Sequence, residues 1–459
     1  MSAPSADRVA VIGAGPVGLA AAAHLVERGI TPLLFERGAS VGTALLSWGH
    51  VRVFSPWQYN IDRAARSLLE GTGWSSPDPK GLPTGKDIVR HYLEPLARHP
   101  KIAPHVLFGA TVIDIARRGL DKVTSTDRHK APFAVRWHDG SGQEHEALAS
   151  AVIDASGTWT QPNPMGIDGR PVPGERTGHA RIAYGIPDVV GAERSLYAGK
   201  HVLVVGAGHS AINVALDLLR LVKEAPGTQV MWALRRNRLE RLLGGGLNDE
   251  LPERGALGLA AKRAIDDGRL KLLAPFVAER IEFVPVKVRV HAQLDGHAAT
   301  LDVDRVIVAT GFRPDVAMLR ELRVALDPAL EAPPALAPLI DPNVHSCGTV
   351  PPHGAAELAH PEPGFYIVGS KSYGRAPTFL MATGYEQVRS VVAEIAGDHA
   401  AANEVHLVLP HTGVCSATPA TADAPEPACC GTPAPATAAA EATSKTKTPE
   451  RVACCGAAA

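Results

Sequence analysis

Short apolar runs recur along this chain, each bounded by turn residues. Val9–Ile12, Leu33–Phe35, Ala151–Ile153, residues 200–205, Gln229–Leu234 and Phe365–Val368 are too short for helices. Their nearly unbroken apolar character fits parallel strands buried on both faces. Between them lie stretches with apolar positions at helical spacing. The Ala-rich segment after the first run continues as a helix to about Arg28, and residues 82–97 read as a turn and then a helix with Ile88, Tyr92, Leu93 and Leu96 on one face. Ile212, Ala215, Leu216 and Leu219 mark a further helix. Strand character also shows at 106–115, 132–138, 280–292 and 299–308, with a helix at 256–268 and a final one within 369–397. Alternation of buried strand and helix predicts an α/β fold. The aromatic-rich stretch 37–62 is too irregular for a regular element. Laid across a ligand it would bring His50, Arg52, Trp57 and Tyr59 to a pocket; as an ordered surface loop its aromatics would simply pack.

The first two apolar runs carry the chemistry. Gly13, Gly15 and Gly18 follow the first in GxGxxG spacing, with Pro16 opening the helix, and the second run ends in Glu36. Gly13 suits a tight turn, Gly15 lets backbone approach a pyrophosphate, and Gly18 lets helix and strand pack closely. The helix N-terminus offers free N–H groups to phosphate, and Glu36 stands where a carboxylate would hold a ribose hydroxyl pair. A second turn of the same kind follows residues 200–205: Gly206, Gly208, Ser210 and Ala211, in GxGxxA spacing. Its next strand ends in Arg235 and Arg236 rather than in an acid. Guanidinium groups there would pair with a 2′-phosphate, which predicts NADP(H) over NAD(H); the bland alternative is two solvated charges. The Pro/Gly-rich stretch 161–178 marks the boundary between the two folds.

Composition narrows the partners. The 459 residues leave room for two or three domains. Lys+Arg 46 against Asp+Glu 47 gives a formal net charge of −1, so no basic field favours nucleic acid or an anionic membrane. No apolar run is long enough to span a bilayer, and MSAPSADR does not read as a secretory signal, so a cytoplasmic location is expected. No cysteine precedes Cys347. That residue sits in His345-Ser346-Cys347-Gly348, followed by His353 and His360. A thiol among imidazoles could be activated or could bind a soft metalloid, and His345 and Cys347 are the candidate catalytic pair; a small buried hydrophobe in a long loop is the other reading. From about residue 412 the chain is rich in Ala, Pro and Thr without apolar periodicity, which predicts disorder. Cys415, Cys429, Cys430, Cys454 and Cys455 lie there, as soft thiols suited to a thiophilic ion such as trivalent arsenic.

Two dinucleotide folds in one chain, the second inserted in the first, resemble the two-dinucleotide-binding-domain flavoproteins. ATGFRPD (309–315) is similar to that superfamily's ATG motif, with Thr310 and Gly311, and DASGTW (154–159) to its degenerate earlier copy. LPTGKDIVRHYLEPLA (82–97) and HPEPGFYIVG (360–369) resemble segments of the flavin-containing monooxygenases. The chain order and Cys-rich end are most similar to the flavoproteins encoded with bacterial arsenic-resistance genes. The resemblance implies FAD on Gly13, Gly15, Pro16, Gly18, Glu36, Thr310, Gly311 and Gly369, and NADPH on Gly206, Gly208, Ser210, Arg235 and Arg236. It also implies an FAD domain in two parts (1–195 and 299–411), an inserted NADPH domain (196–298) and a tail (412–459). Two features depart from the pattern: the fingerprint residues Gly174, His179 and Tyr184 are each displaced by a position, and the active-site Asn has no clear counterpart. Both bear on oxygen transfer rather than on cofactor binding. The disulfide-reductase branch needs a CxxC or CxxxxC pair beside the flavin, and the sequence has neither spacing; Cys347 is the one cysteine within the two nucleotide folds.

The leading expectation is thus an NADPH-dependent FAD monooxygenase that uses molecular oxygen on a small-molecule soft nucleophile, a sulfur, nitrogen or trivalent arsenic centre. The alternatives are a reductase or oxidase without oxygen transfer, and a non-enzymatic metalloid-binding protein. A homodimer is the candidate assembly.

Overall fold

The computed structural model describes residues 7–177, 180–236, 252–344, 350–376 and 379–407. The expected strand–helix–strand opening forms β1 (Arg8–Ile12), α1 (Pro16–Glu27) and β2 (Thr31–Glu36). After α2 (Arg63–Glu70) come β3 (Val106–Phe108), the antiparallel strands β4 (Thr111–Arg117), β5 (Phe133–His138) and β6 (Glu144–Ala149), and then β7 (Ala151–Asp154). The second fold holds β8 (Ile182–Tyr184), β9 (His201–Val205), α3 (His209–Glu224), β10 (Gln229–Ala233), α4 (Pro252–Asp266) and β11 (Lys271–Leu273). It continues through β12 (Phe276–Val284), β13 (Lys287–Leu294), β14 (His297–Val303) and β15 (Arg305–Val308). The chain then returns to the first fold with β16 (Phe365–Ile367) and α5 (Met381–Ile395).

Each fold has a five-stranded parallel sheet, ordered β16-β7-β1-β2-β3 in the first and β11-β10-β9-β15-β8 in the second. A three-stranded antiparallel sheet accompanies each, β4-β5-β6 and β12-β13-β14. One face of the first parallel sheet packs on helices: Val9, Val11 and Ile153 share a core with the α1 alanines Ala20–Ala23 and with Val388, Val391 and Val392 of α5. The other face, with Ile12, Phe35 and Phe365, packs on Ile115, Phe133 and Val135 of the antiparallel sheet. Small side chains along α1 let a helix lie close between sheet and α5. In the second fold Val205, Val306 and Val308 meet Val288 and Val290 in the same way. Trp232 is fully buried there, its indole N–H donating to the Gly206 carbonyl at 2.8 Å.

Three expected single strands are each divided. The run 280–292 folds back at residues 285–286 into the antiparallel hairpin of β12 and β13. The other two divide because each serves two sheets. The run 106–115 breaks at Gly109, φ +66°, so that β3 joins the parallel sheet and β4 the antiparallel one. The run 299–308 breaks at Asp304, whose N–H donates to the His201 carbonyl and whose carboxylate accepts the His201 N–H at 2.8 Å. The second parallel sheet accordingly takes in 182–184 and 305–308, beyond the expected 196–298. Within 85–97 the helix widens to a π turn over Val89–Leu93 ahead of Pro95, and Ile88, Tyr92, Leu93 and Leu96 are buried as expected. The return segment is pinned by Glu362. Its fully buried carboxylate accepts from Arg117 Nε at 2.8 Å and Arg128 Nη2 at 2.7 Å. Burial pushes the Glu362 pKa up, but hydrogen bonds from Arg128, Arg117 and the Arg323 N–H outweigh it and hold it below the ordinary carboxylate value. Among the described residues no helix is long and apolar enough to cross a membrane.

Candidate functional site

The two glycine turns have the same construction. A Cβ built on Gly18 would lie 1.9 Å from the Gly13 carbonyl oxygen, so this position closes the packing between turn and helix. A Cβ on Gly15 would meet nothing within 4 Å: that face of the turn is open for a ligand. In the second turn a Cβ on Gly206 would stand 2.2 Å from the Ala309 carbonyl oxygen, Gly208 is open, and fully buried Ala211 fills the third position. Gly15 and Gly208 are the N-caps of α1 and α3, so the positive dipole end of each helix lies beside the face that these glycines leave open.

The strand ends differ as expected. Glu36 is buried at the carboxyl end of β2, its carboxylate accepting from the N–H groups of Ala14 at 2.9 Å and Gly38 at 2.8 Å. It therefore braces the glycine turn as well as facing the cleft. Arg235 and Arg236, just past β10, are both exposed.

One cavity of about 780 Å³ joins the two folds. It runs from Gly13, Gly15, Pro16 and Glu36 past Arg52, Phe54, Ser55 and Gly369 to His209, Ser210 and Asn213 at the start of α3. Its wall includes the half-exposed aromatics Trp48, Trp159 and Phe312. Trp159 stacks on Phe312 with centroids 4.3 Å apart, and Trp48 lies 6.3 Å from Trp159. Gly369 is held from behind: its N–H donates to Gln387 Oε1 at 2.7 Å, and Gln387 Nε2 donates to Ser372 Oγ and to His353 Nε2, each at 2.9 Å. His353 Nδ1 must then carry the proton, which it donates to the Pro351 carbonyl at 3.0 Å. Burial lowers the His353 pKa, against that hydrogen bond and the charges of Glu357 and Glu386, in keeping with a neutral ring.

Not every expected residue reaches the cleft. Gly18, Gly206, Gly208, Arg235 and Arg236 stand outside its lining. So do Thr310 and Gly311; Thr310 Oγ1 instead donates to the Asn163 carbonyl at 2.7 Å and braces the crossing between folds. Trp57 is buried in the core, and His50 and Tyr59 do not line the cavity; Arg52 does. Tyr184 donates to Glu175 at 2.8 Å rather than facing the cleft. His345, Cys347, His179 and the cysteines Cys415, Cys429, Cys430, Cys454 and Cys455 lie outside the described residues, as does the whole 412–459 tail. Sequence reasoning passed over Trp48, Gln387 and Lys371. A lysine between an apolar strand and a final helix reads as a surface residue, and only its burial shows otherwise.

An open glycine face, a helix N-terminus and a buried acid on one long cavity suit a bound dinucleotide, and the second turn repeats the arrangement for another. Fold and site define a two-dinucleotide flavoprotein oxidoreductase, whose cofactors are FAD and a pyridine nucleotide. Residues 10–336 match the family described as pyridine nucleotide-disulphide oxidoreductase, and the chain belongs to that family. It is 27% identical over 242 residues to flavin-containing monooxygenase FMO GS-OX-like 6 of Arabidopsis thaliana, covering 48% of this chain and 48% of that protein. The chain spans about half the length of the curated monooxygenases it matches. It is 25% identical over 350 residues to the ferredoxin–NADP reductase of Thermus thermophilus, covering 74% of this chain and 84% of the reductase. In structure it is similar to the bacillithiol disulfide reductase Bdr of Bacillus cereus, with a TM-score of 0.62, 20% identity and coverage of 85% of this chain and 99% of the other.

Proposed function

We propose that the protein is an NADPH-dependent FAD monooxygenase acting on a small soft nucleophile. The observation that supports this most is the single cavity reaching from the first glycine turn to the start of α3, walled by aromatics. FAD, when bound, supplies the acceptance of hydride and the reaction with oxygen. Gly13, Gly15 and Pro16 would cradle its pyrophosphate, Glu36 its ribose, and Gly369 the strand end beside it. Ser210 and the first turn of α3 would hold the pyridine nucleotide, with Arg235 and Arg236 on its 2′-phosphate. Trp48, Trp159 and Phe312 would keep water from the reacting centre. Loss of a charged bidentate partner costs about 1.5–3 kcal/mol. Arg235→Ala/Arg236→Ala is therefore expected to weaken NADPH roughly ten- to a hundred-fold while leaving NADH nearly unchanged. An unchanged NADPH Michaelis constant would remove these arginines from the reading.

The substrate centre is a sulfur, a nitrogen or trivalent arsenic. The arsenic reading rests on the adjacent pairs Cys429-Cys430 and Cys454-Cys455, whose soft thiolates suit a thiophilic ion. A second reading, electron transfer to an acceptor without oxygenation, draws support from the likeness to the Thermus thermophilus reductase. The chain has no cysteine before Cys347, so a dithiol beside the flavin does not support thiol–disulfide exchange there. The deciding experiment supplies NADPH and ¹⁸O₂ with a thioether, a tertiary amine or arsenite in separate arms. Label in one oxidised product, with NADPH consumed in step, is the expected result. NADPH oxidation that yields only hydrogen peroxide, or a reduced acceptor without label, would favour the second reading.

A further inference from the structure

Lys371 and Asp154 form a buried ion pair beside the cleft. Lys371 is 2% exposed and Asp154 is fully buried, and Lys371 Nζ donates to Asp154 Oδ2 at 2.7 Å and to Ser156 Oγ at 3.0 Å. Asp154 ends β7, and Lys371 follows β16 by a few residues. Burying an ion pair is costly, and a well-packed apolar pair usually serves stability as well or better. The pair is not needed as a fastening. Strands β7 and β16 are already joined along their ladder, and the Val368 N–H donates to the Asp154 carbonyl at 2.9 Å. Gly369 is fixed separately through Gln387.

Two features tie the pair to the cleft instead. Ser156, Ser370 and Lys371 line the same cavity as Gly13, Gly15 and Gly369, at the carboxyl ends of the parallel strands where this architecture binds ligands. The ammonium also has three N–H groups, of which Asp154 and Ser156 take two; among the described residues no partner is found for the third. A buried ammonium with an idle donor beside a polar-ligand cavity is costly unless the ligand completes it.

We propose that Lys371 is a flavin-binding residue: anchored by Asp154 and Ser156, its ammonium donates the remaining N–H to an oxygen of FAD in the cavity. This rests on the placement of FAD in the first fold. Asp154 and Ser156 act as positioning residues that aim the ammonium.

The test is FAD titration onto apoprotein, followed by flavin fluorescence and the visible absorption bands. Lys371→Met alone leaves the buried Asp154 carboxylate unpaired, which destabilises the fold, so Lys371→Met/Asp154→Asn is the informative variant. It is nearly isosteric, uncharged, and keeps an acceptor for Ser156. The expected result is wild-type circular dichroism and urea midpoint for the apoprotein, an FAD dissociation constant raised tenfold or more, and shifted visible bands in whatever flavin is retained. An FAD dissociation constant within twofold of wild type, with unaltered bands, would make the pair structural only. Wild-type protein that takes up no FAD would overturn the cofactor placement itself, a separate outcome read before any variant is made.

Discussion

At the residue scale the glycine turns separate two jobs that the GxGxxG spacing merges. Gly18 is excluded from carrying a side chain by the chain itself, through the Gly13 carbonyl 1.9 Å from its missing Cβ. Gly15 is excluded by nothing within 4 Å of protein, so its small size serves whatever enters the cleft. Two alanine substitutions should therefore fail differently. Gly18→Ala forces backbone apart and is expected to destabilise the apoprotein by about 1–3 kcal/mol or more, seen as a lower urea midpoint. Gly15→Ala should leave that midpoint within about 0.5 kcal/mol of wild type and weaken FAD instead. If both variants lost the same stability and kept FAD equally, the open face of Gly15 would have no ligand role. The motif itself was legible in sequence because spacing alone specifies it. Which glycine faces ligand and which faces backbone was supported by the fold-level pattern and is made specific by the contacts.

At the element scale the joint between α1 and α2 holds a buried charge. His24 on α1 donates through Nε2 to Asp62 Oδ2 at 3.0 Å, while Asp62 caps α2 by accepting the Ala65 N–H at 2.9 Å. The Asp62 N–H donates to Tyr92 Oη, and Tyr385 donates to the Asn60 carbonyl, so four segments meet here. Burial alone would lower the His24 pKa. The charge and hydrogen bond of Asp62, with a smaller part from Glu27, outweigh it and raise the value from an ordinary 6.5 to about 9. A folded pKa above the unfolded one means that the protonated pair stabilises fully below about pH 6.5 and is lost as pH rises through about 9. The size is on the order of 3 kcal/mol. Urea unfolding near pH 6 and near pH 9.5 should show wild type losing more stability than His24→Gln over that interval; equal losses would show His24 neutral throughout. None of this was readable in sequence. His24 looked like one polar residue on an Ala-rich helix, and its partner lies 38 residues on, in the stretch too irregular to assign. The elements with strong periodicity were legible, whereas the joints between them depend on pairings that no local pattern encodes.

At the scale of the whole molecule the inserted fold is tied to the first by two crossing segments that brace each other. The Asn163 N–H donates to the Gly311 carbonyl at 2.9 Å and the Arg313 N–H to the Gln161 carbonyl at 3.0 Å. Beside them the Trp159–Phe312 stack closes part of the cavity wall. Trp159 and Phe312 belong to DASGTW and ATGFRPD, which were legible as related motifs, but their side-by-side placement required the fold. Gly185 supports the stack from below: a Cβ there would come within 3.1 Å of Trp159 and 3.5 Å of Phe312. On the proposed monooxygenase reading, a rigid aromatic wall between the two glycine turns is suited to excluding water where hydride and oxygen chemistry would meet. Trp159→Ala removes the larger ring of the stack at a half-exposed position, so its cost in stability should be modest, about 1 kcal/mol. Its cost in chemistry should be larger. With water admitted, NADPH oxidation should continue near the wild-type rate while the share of electrons recovered as hydrogen peroxide rises several-fold at the expense of oxygenated product. Phe312→Ala should act in the same direction, and the double variant should add little, since either change opens the same wall. The measurement is hydrogen peroxide and oxygenated product per NADPH consumed, for wild type and all three variants. Unchanged ratios would show that the stack only joins the crossing segments and that water is excluded elsewhere in the cleft.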